Sequence, residues 1–170
     1  MPRSAQQING DPSELRERMV SEQLAARGIS DPRVLASMRH VPREEFVLPA
    51  YRHAAYADGA LPIEAEQTIS QPFTVAFMCE EAQLQPDDRV LEIGTGSGYG
   101  AAVLSELCDE LHTVERIALL ANQSADRLRR LKYDNVHVHE GDGSQGWPGA
   151  APYMDRICSG SWAISKASLA

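Results

Sequence analysis

The sequence predicts an α/β protein with a doubly wound, mostly parallel β-sheet that follows an N-terminal helical cap. Three observations lead to this prediction. Strand-like and helix-like segments alternate from residue 86 onward, a glycine-rich turn joins the first of these strands to its helix, and the first 60 residues carry helix signals. Alternation of this kind is typical of parallel strands that are connected by right-handed helical crossovers.

Length and composition fit one globular domain. The chain has 170 residues, of which 43% are hydrophobic and 24% are charged, so a disordered or fibrous chain is excluded. The 16 Lys and Arg residues and 24 Asp and Glu residues give a formal net charge of −8. Because this charge repels a nucleic-acid backbone on average, we expect no nucleic-acid partner.

The chain carries no signal for export or for membrane insertion. Its first ten residues are polar, and no run of 18 apolar residues occurs. The three cysteines, Cys79, Cys108 and Cys158, are odd in number and far apart, which predicts reduced thiols rather than disulfides or a zinc site. We therefore expect a cytoplasmic protein without a membrane partner.

The helical cap begins with two clear helix starts. Asp11 is an N-cap candidate in front of Pro12, and Gly28 supplies a C-terminal stop. Residues 31–32, Asp-Pro, repeat the start signal, and Pro42 opens a further helical turn. Apolar residues at helical spacing follow the first two starts, which indicates that both helices bury one face.

Strands and helices alternate after this cap. The predicted order is helix 73–84, strand 89–93, turn 94–98, helix 101–107, strand 111–115, helix 117–131 and strand 136–139. We divide the chain into a polar tail, 1–10, a single domain, 11–157, and an atypical tail, 158–170. Within the domain, 11–85 form the cap and 86–157 form the sheet core.

The carboxyl ends of the strands carry the residues of a predicted nucleoside site. Gly94, Gly96 and Gly98 allow the backbone to approach a ligand, and the following helix presents amide donors to it. Glu115 ends the next strand, roughly 20 residues on, where an acid accepts both hydroxyls of a ribose. Asp142 follows the third strand, within reach of an adenine edge. The alternative is that both acids are solvated turn residues and that the glycines serve only a tight turn.

The glycine spacing narrows the choice of nucleoside ligand. The turn reads G-x-G-x-G, with Tyr99 where the dinucleotide fingerprint G-x-G-x-x-G has its third glycine. The phosphate-loop motif G-x-x-x-x-G-K-[ST] is absent, which argues against a nucleoside triphosphate.

Several of these segments together carry a family resemblance. Residues 90–99, VLEIGTGSGY, resemble the first motif of class I S-adenosyl-L-methionine (AdoMet)-dependent methyltransferases. With QTISQP at 67–72, VERI at 114–117 and GDGSQGWP at 141–148, the chain is similar to the protein-L-isoaspartate O-methyltransferases. The resemblance ends near Tyr153. It implies the Rossmann-like sheet of class I methyltransferases, with the C-terminal strands of that sheet missing.

The resemblance also implies an activity. Enzymes of this family, protein-L-isoaspartate(D-aspartate) O-methyltransferases, transfer a methyl group from AdoMet to the free α-carboxyl of L-isoaspartyl residues in damaged proteins and peptides, which initiates repair. The product is S-adenosyl-L-homocysteine, no metal takes part, and the family is monomeric. An exposed sheet edge beyond the fourth strand would allow this chain to associate.

Site residues follow from the same resemblance. Ser70 matches the active-site serine, although it could instead be the N-cap of the following helix. The cofactor-binding residues are Gln67, Thr68, Glu92, Gly94, Thr95, Gly96, Ser97, Gly98, Glu115, Arg116, Gly141, Asp142 and Gly143. Gly100 departs from the family, whose members usually have Gln there, and could loosen its helix slightly.

Three alternatives to this activity stay open. The altered tail could leave an AdoMet-binding remnant with little turnover. The chain could also be another class I methyltransferase that acts on a small molecule, or a non-catalytic interaction module.

No metal site is predicted, because His137 and His139 share a strand face without a third ligand at zinc-like spacing. The cluster Arg127, Arg129, Arg130 and Lys132 is interpreted as the solvated end of a helix.

Overall fold

A five-stranded sheet forms the core of the computed structural model, which describes residues 10–150, 153, 155–158 and 163–165. Its strands are β3 (Arg89–Ile93), β4 (Glu110–Glu115), β5 (Val136–Glu140), β6 (Asp155–Cys158) and β7 (Ala163–Ser165), which come after the small strands β1 (Leu61–Pro62) and β2 (Thr68–Ile69). The spatial order is β5-β4-β3-β6-β7, and only the β6–β7 pair is antiparallel. The predicted mostly parallel sheet is thus confirmed.

The helices are α1 (Pro12–Arg18), α2 (Pro32–His40), α3 (Pro72–Ala82), α4 (Tyr99–Ser105) and α5 (Ala118–Arg130). The connections β3–α4–β4 and β4–α5–β5 follow the order that the sequence predicts, with boundaries that differ by at most two residues. Within the described residues, no helix has both the length and the apolar character required to cross a bilayer.

Both faces of the central strands are buried. Val90 of β3 belongs to a large core that the helices and the cap share, whereas Leu91 packs with Val114 and Tyr153 in a smaller cluster. Successive side chains of a strand point to opposite faces, so these two clusters lie on opposite sides of the sheet. A strand that is buried on both faces reads as a nearly continuous apolar run, which is why β3 is easy to identify in the sequence.

The predicted starts of the cap helices are confirmed. The side chain of Asp11 accepts a hydrogen bond from the Ser13 amide at 2.7 Å, and that of Asp31 accepts one from the Arg33 amide at 2.7 Å. Gly28 ends the first helical segment with a φ of 105°, in the left-handed region that favours glycine. Beyond α1 the chain continues through a π-helical turn, Met19–Leu24, and a 3₁₀ turn, Ala25–Arg27.

The last two strands lie at and beyond the predicted end of the domain, residue 157. Strand β6 spans residue 157, where we placed the end of the domain, and β7 lies within the tail that we assigned to 158–170. We expected the fourth strand of the sheet, β6, to form its edge. Instead β7 pairs with β6, so β7 is the edge strand. Residues 1–9, 159–162 and 166–170 of the two predicted tails lie outside the described part of the chain.

Candidate functional site

A cleft opens at the carboxyl ends of β3 and β4, and the β1–β2 hairpin and α3 form its opposite wall. The residues that line it are Gln67, Thr68, Ile69, Ser70, Val75, Met78, Glu92, Gly94, Thr95, Gly96, Ser97, Tyr99, Gly100, Glu115 and Leu120. Nine of the predicted site residues are among them: Gln67, Thr68, Ser70, Glu92, Gly94, Thr95, Gly96, Ser97 and Glu115. Ligands of open α/β sheets bind at this edge.

The glycine-rich turn follows β3 directly and takes a backbone path that other residues rarely adopt. Gly94 and Gly96 have φ angles of 94° and 54°. The Gly94 amide donates to the Val114 carbonyl at 2.8 Å, which ties the start of the turn to β4. A side chain at Gly96 would be strained by this conformation, and its Cβ would lie 3.8 Å from Cδ1 of Ile63.

Glu115, at the end of β4, holds the turn in place. Its Oε2 accepts the Gly96 amide at 2.9 Å, and its Oε1 accepts the Ile117 amide at 3.0 Å, in front of α5. The residue is buried, with 6% of its surface exposed, yet it lines the cleft. Each carboxylate oxygen has a second lone pair, so both can still accept hydroxyl groups of a ligand.

Glu92 is a second buried acid in the cleft wall. Its Oε2 accepts the Thr113 hydroxyl at 2.6 Å, and Thr113 in turn lies 2.6 Å from the Thr95 hydroxyl. Burial raises the pKa of Glu92 to about 8, and the nearby negative charge of Glu115 adds to this effect. The carboxyl group is therefore largely protonated at neutral pH.

Gly100 has a role that the sequence did not reveal. A Cβ atom at this position would lie 2.7 Å from Oε1 of Glu92, closer than a normal contact. The missing side chain thus leaves room for the buried carboxyl group.

Ser70 lies between β2 and α3, half-buried in the cleft wall. Its backbone carbonyl accepts a hydrogen bond from Nη2 of Arg43 at 2.8 Å. The N-cap position of α3 belongs to Gln71, and no side chain caps this helix. The alternative interpretation of Ser70 as an N-cap is therefore wrong, and its hydroxyl is available to the cleft.

Arg43 is the main structural residue of the site that the sequence did not predict. Its side chain is fully buried, its Nε donates to the Ala55 carbonyl at 2.8 Å, and its guanidinium lies 4.7 Å from the centre of the Tyr99 ring. Burial lowers the pKa of Arg43, and the Tyr99 hydroxyl opposes this effect. The one available signal was its place among buried apolar residues such as Val41 and Phe46.

Five predicted cofactor residues are not part of the cleft lining: Gly98, Arg116, Gly141, Asp142 and Gly143. Asp142 is exposed, and its Oδ1 accepts the Ser144 amide at 2.9 Å. A Cβ at Gly98 would lie 3.3 Å from Ser124 and Leu128, so this glycine lets the turn pack closely against α5. The adenine contact of Asp142 stays a prediction.

The basic cluster at the end of α5 is only partly solvated. Arg129 and Arg130 are exposed and pair with Asp126 and Glu45, as a solvated helix end would. Arg127 instead is half-buried, and it donates to the Ser97 carbonyl of the glycine-rich turn at 2.7 Å. Our interpretation of Arg127 as a solvated residue is therefore wrong. Its hydrogen bond to the turn makes it a structural part of the site.

The two described thiols are not reactive groups. Cys79 and Cys108 are free and buried, as the sequence predicts. Burial raises the pKa of Cys108 to about 12 and also raises that of Cys79, so neither forms a thiolate at neutral pH.

Comparisons with known proteins agree with the geometry of the cleft. A family model described as protein-L-isoaspartate(D-aspartate) O-methyltransferase matches residues 14–165. A protein-L-isoaspartate O-methyltransferase of Rhodopseudomonas palustris is 58% identical over 135 residues, which is 79% of this chain and 62% of that protein. A second one, from Pelobacter propionicus, is 58% identical over 138 residues, covering 81% of this chain and 61% of that protein. The chain thus spans about three fifths of the length of these relatives.

Solved structures show the same similarity. A protein-L-isoaspartate O-methyltransferase superposes with a TM-score of 0.75 and 32% identity, over 85% of this chain and 47% of the other. A Plasmodium falciparum beta-aspartate methyltransferase in complex with S-adenosyl-L-homocysteine gives a TM-score of 0.63 and 25% identity, over 74% of this chain and 62% of the other. The fold predicted from the sequence, that of class I methyltransferases, agrees with both.

Proposed function

Because this chain belongs to the protein-L-isoaspartate(D-aspartate) O-methyltransferase family, we propose that it binds AdoMet in the cleft and methylates L-isoaspartyl residues of damaged proteins. One observation of the structure carries the proposal. The serine-containing segment 67–70 and the glycine-rich turn 94–97, which are distant in the sequence, line the same cleft.

The cleft fits the cofactor by the chemistry of its groups. Glu115 offers free lone pairs for the ribose hydroxyls, and Gly94 and Gly96 leave the backbone open to a close approach. Glu92, buried beside the turn, lines the cleft with a carboxyl group that can hydrogen-bond polar groups of the cofactor. The apolar side chains of Met78 and Leu120 complete the wall.

AdoMet carries its methyl group on a sulfonium, which makes that group a strong electrophile. The α-carboxyl of an isoaspartyl residue is already ionised at neutral pH, so the chain needs no general base. The task of its residues is to position the carboxylate and to exclude water. We assign the first of these tasks to the Ser70 hydroxyl, which would orient the carboxylate.

Isoaspartyl-containing proteins and peptides are the partners that this proposal requires. We also propose a cytoplasmic location, which the free, buried thiols Cys79 and Cys108 favour. The domain division 11–157 and the monomeric state remain proposals as well.

Binding and turnover are tested separately. Calorimetric titration with AdoMet should show one site per chain, and a methylation assay should show transfer to an isoaspartyl peptide but not to its aspartyl isomer. Binding without transfer would contradict the enzymatic proposal and favour an AdoMet-binding chain. Transfer to neither peptide but to small carboxylic acids would identify another class I methyltransferase.

Two variants separate the roles of the site residues. Ser70→Ala should lower transfer strongly and leave AdoMet affinity nearly unchanged, whereas Ser21→Ala, on the exposed side of the cap, should change neither.

Glu115→Ala should weaken AdoMet binding roughly ten- to a hundred-fold, because charge-assisted hydrogen bonds are lost. Glu22→Ala, in an exposed ion pair with Arg18, is the matched control. Full transfer by Ser70→Ala, or unchanged affinity of Glu115→Ala, would refute the respective role.

A further inference from the structure

A cluster of metal-ligating side chains lies on one face of β4 and β5. His112 and His137 are direct partners in the parallel register of these strands. Glu110 comes two residues before His112 and His139 two residues after His137, so all four side chains share that face. The sequence showed only the histidine pair of β5, because strand pairing, not chain spacing, brings the other two ligands there.

The distances in this cluster match those of a coordination site. Oε1 of Glu110 lies 3.3 Å from Nε2 of His112 and 3.2 Å from Nε2 of His137, and the three ligand atoms all lie within 4.8 Å of one another. Ligands of tetrahedral Zn²⁺ sit about 2.0–2.1 Å from the ion, which places neighbouring ligand atoms about 3.3 Å apart.

His112 provides an independent observation that points to a ligand. Its side chain is more than nine-tenths buried, and its Nε2 has no hydrogen-bond partner, since the contact with Glu110 lacks hydrogen-bond geometry. Its Nδ1 lies 2.9 Å from Nε2 of His139, whose ring stacks on Trp147 at 4.3 Å. If Nδ1 donates to His139, the buried Nε2 carries a bare lone pair that faces Glu110 and His137.

The carboxylate of Glu110 is held in a matching orientation. Arg89 Nε donates to its Oε2 at 2.6 Å, which leaves Oε1 directed at both histidines. Such outer partners fix ligands in known metal sites.

We propose that Glu110, His112 and His137 bind one divalent transition-metal ion of the Zn²⁺ type. Two imidazoles and one carboxylate form a donor set that suits this ion, and the exposed side of His137 leaves a fourth position for water. The site lies at the opposite end of β4 from Glu115. The ion would therefore cross-link two strands and take no part in methyl transfer.

His139 is a positioning residue for this site, because it acts through the Nδ1 of His112. Replacing it with phenylalanine keeps the stack on Trp147 and removes the hydrogen bond. Zn²⁺ affinity should then fall by roughly 10–100-fold, the usual effect of losing an outer partner.

The experiment is a titration of the untagged, metal-free chain with ZnCl₂, followed by calorimetry, with Co²⁺ as a spectroscopic probe. We expect one equivalent of Zn²⁺, visible d–d bands of four-coordinate Co²⁺, and a rise in melting temperature. His137→Ala and Glu110→Gln should lose the Co²⁺ bands and bind Zn²⁺ at least 100-fold more weakly, a greater loss than an outer partner causes. His53→Ala, at an exposed position of the cap, should behave like the unchanged chain.

Two outcomes would overturn the proposal: absence of stoichiometric Zn²⁺ binding, or binding that His137→Ala leaves unchanged. His137 is exposed, so this variant should fold, and its far-ultraviolet circular dichroism verifies that. AdoMet affinity, measured in parallel, should be the same with and without Zn²⁺.

Discussion

Glu92 shows how burial changes the behaviour of a single residue in the cleft. Its carboxyl group has a pKa of about 8 in the folded chain, compared with an ordinary value of 4.5. The resemblance to methyltransferases indicates a cofactor role for this residue, but its protonation depends on burial and on Glu115. A local sequence pattern shows neither how deeply Glu92 is buried nor how close Glu115 lies to it.

The first prediction concerns the pH dependence that Glu92 creates. Between pH 4.5 and 8 the unfolded chain loses this proton while the folded chain keeps it, so rising pH should lower the free energy of unfolding. Glu92→Gln removes this contribution. In urea unfolding, the stability of Glu92→Gln relative to the unchanged chain should therefore increase from pH 5 to pH 8. A difference that stays constant over this range would show that Glu92 is ionised in the folded chain.

Arg43 connects the cap to the site through two backbone carbonyl groups, those of Ala55 and Ser70. We predict that Arg43→Lys destabilises the chain by about 1.5–3 kcal/mol. A lysine keeps the buried charge but lacks the planar fork, so one carbonyl loses a charge-assisted hydrogen bond. Chemical denaturation measures the loss. Arg129→Lys, in an exposed ion pair, is the control and should change stability by less than about 0.5 kcal/mol.

Equal stabilities of the two arginine variants would contradict this role of Arg43. The residue also illustrates a limit of sequence patterns. An arginine in a polar turn normally predicts a solvated side chain, but this one is buried over the Tyr99 ring, which in turn contacts Phe46.

Among the described secondary-structure elements, the β1–β2 hairpin is one that the sequence did not predict. Its strands have two residues each, which is too short for an alternating pattern. Its loop contains Ala65 and Glu66 at φ angles of 56° and 57°, a conformation that usually selects glycine. By contrast, β3 and β4 were predictable because they are buried on both faces, and α2 because Asp31 caps it.

The strained loop leads to a prediction about the hairpin. Ala65→Gly should stabilise the chain by up to about 1 kcal/mol, because glycine removes a left-handed penalty of about 1–2 kcal/mol but adds disorder to the unfolded chain. Ala60→Gly, an exposed position without positive φ, should destabilise instead. Thermal unfolding of both variants measures the difference. A loss of stability in both would show that the loop is not strained at Ala65.

For the molecule as a whole, the cleft lies between two parts of the chain, and sequence patterns predict only one of them. The core side comes from the ends of β3 and β4, whose position follows from the alternation of strands and helices. The cap side comes from residues 67–70, which Arg43 and the hairpin place there. Sequence patterns therefore predict the core side by physical reasoning, whereas the cap side is predictable only through the family resemblance.

Ligand binding should couple these two sides, and this is our prediction for the whole chain. S-adenosyl-L-homocysteine at a concentration of about 100 times its dissociation constant should stabilise the folded chain by about 2.7 kcal/mol. For a chain of this size the melting temperature should rise by roughly 5–10 °C. Amide hydrogen exchange should slow at residues 67–70 and at 94–97 together, because both line the cleft. Glu115→Ala, at the same ligand concentration, should show a smaller shift on both measurements. Protection of the turn alone would mean that the ligand contacts only the core side and would contradict the predicted coupling of the two sides.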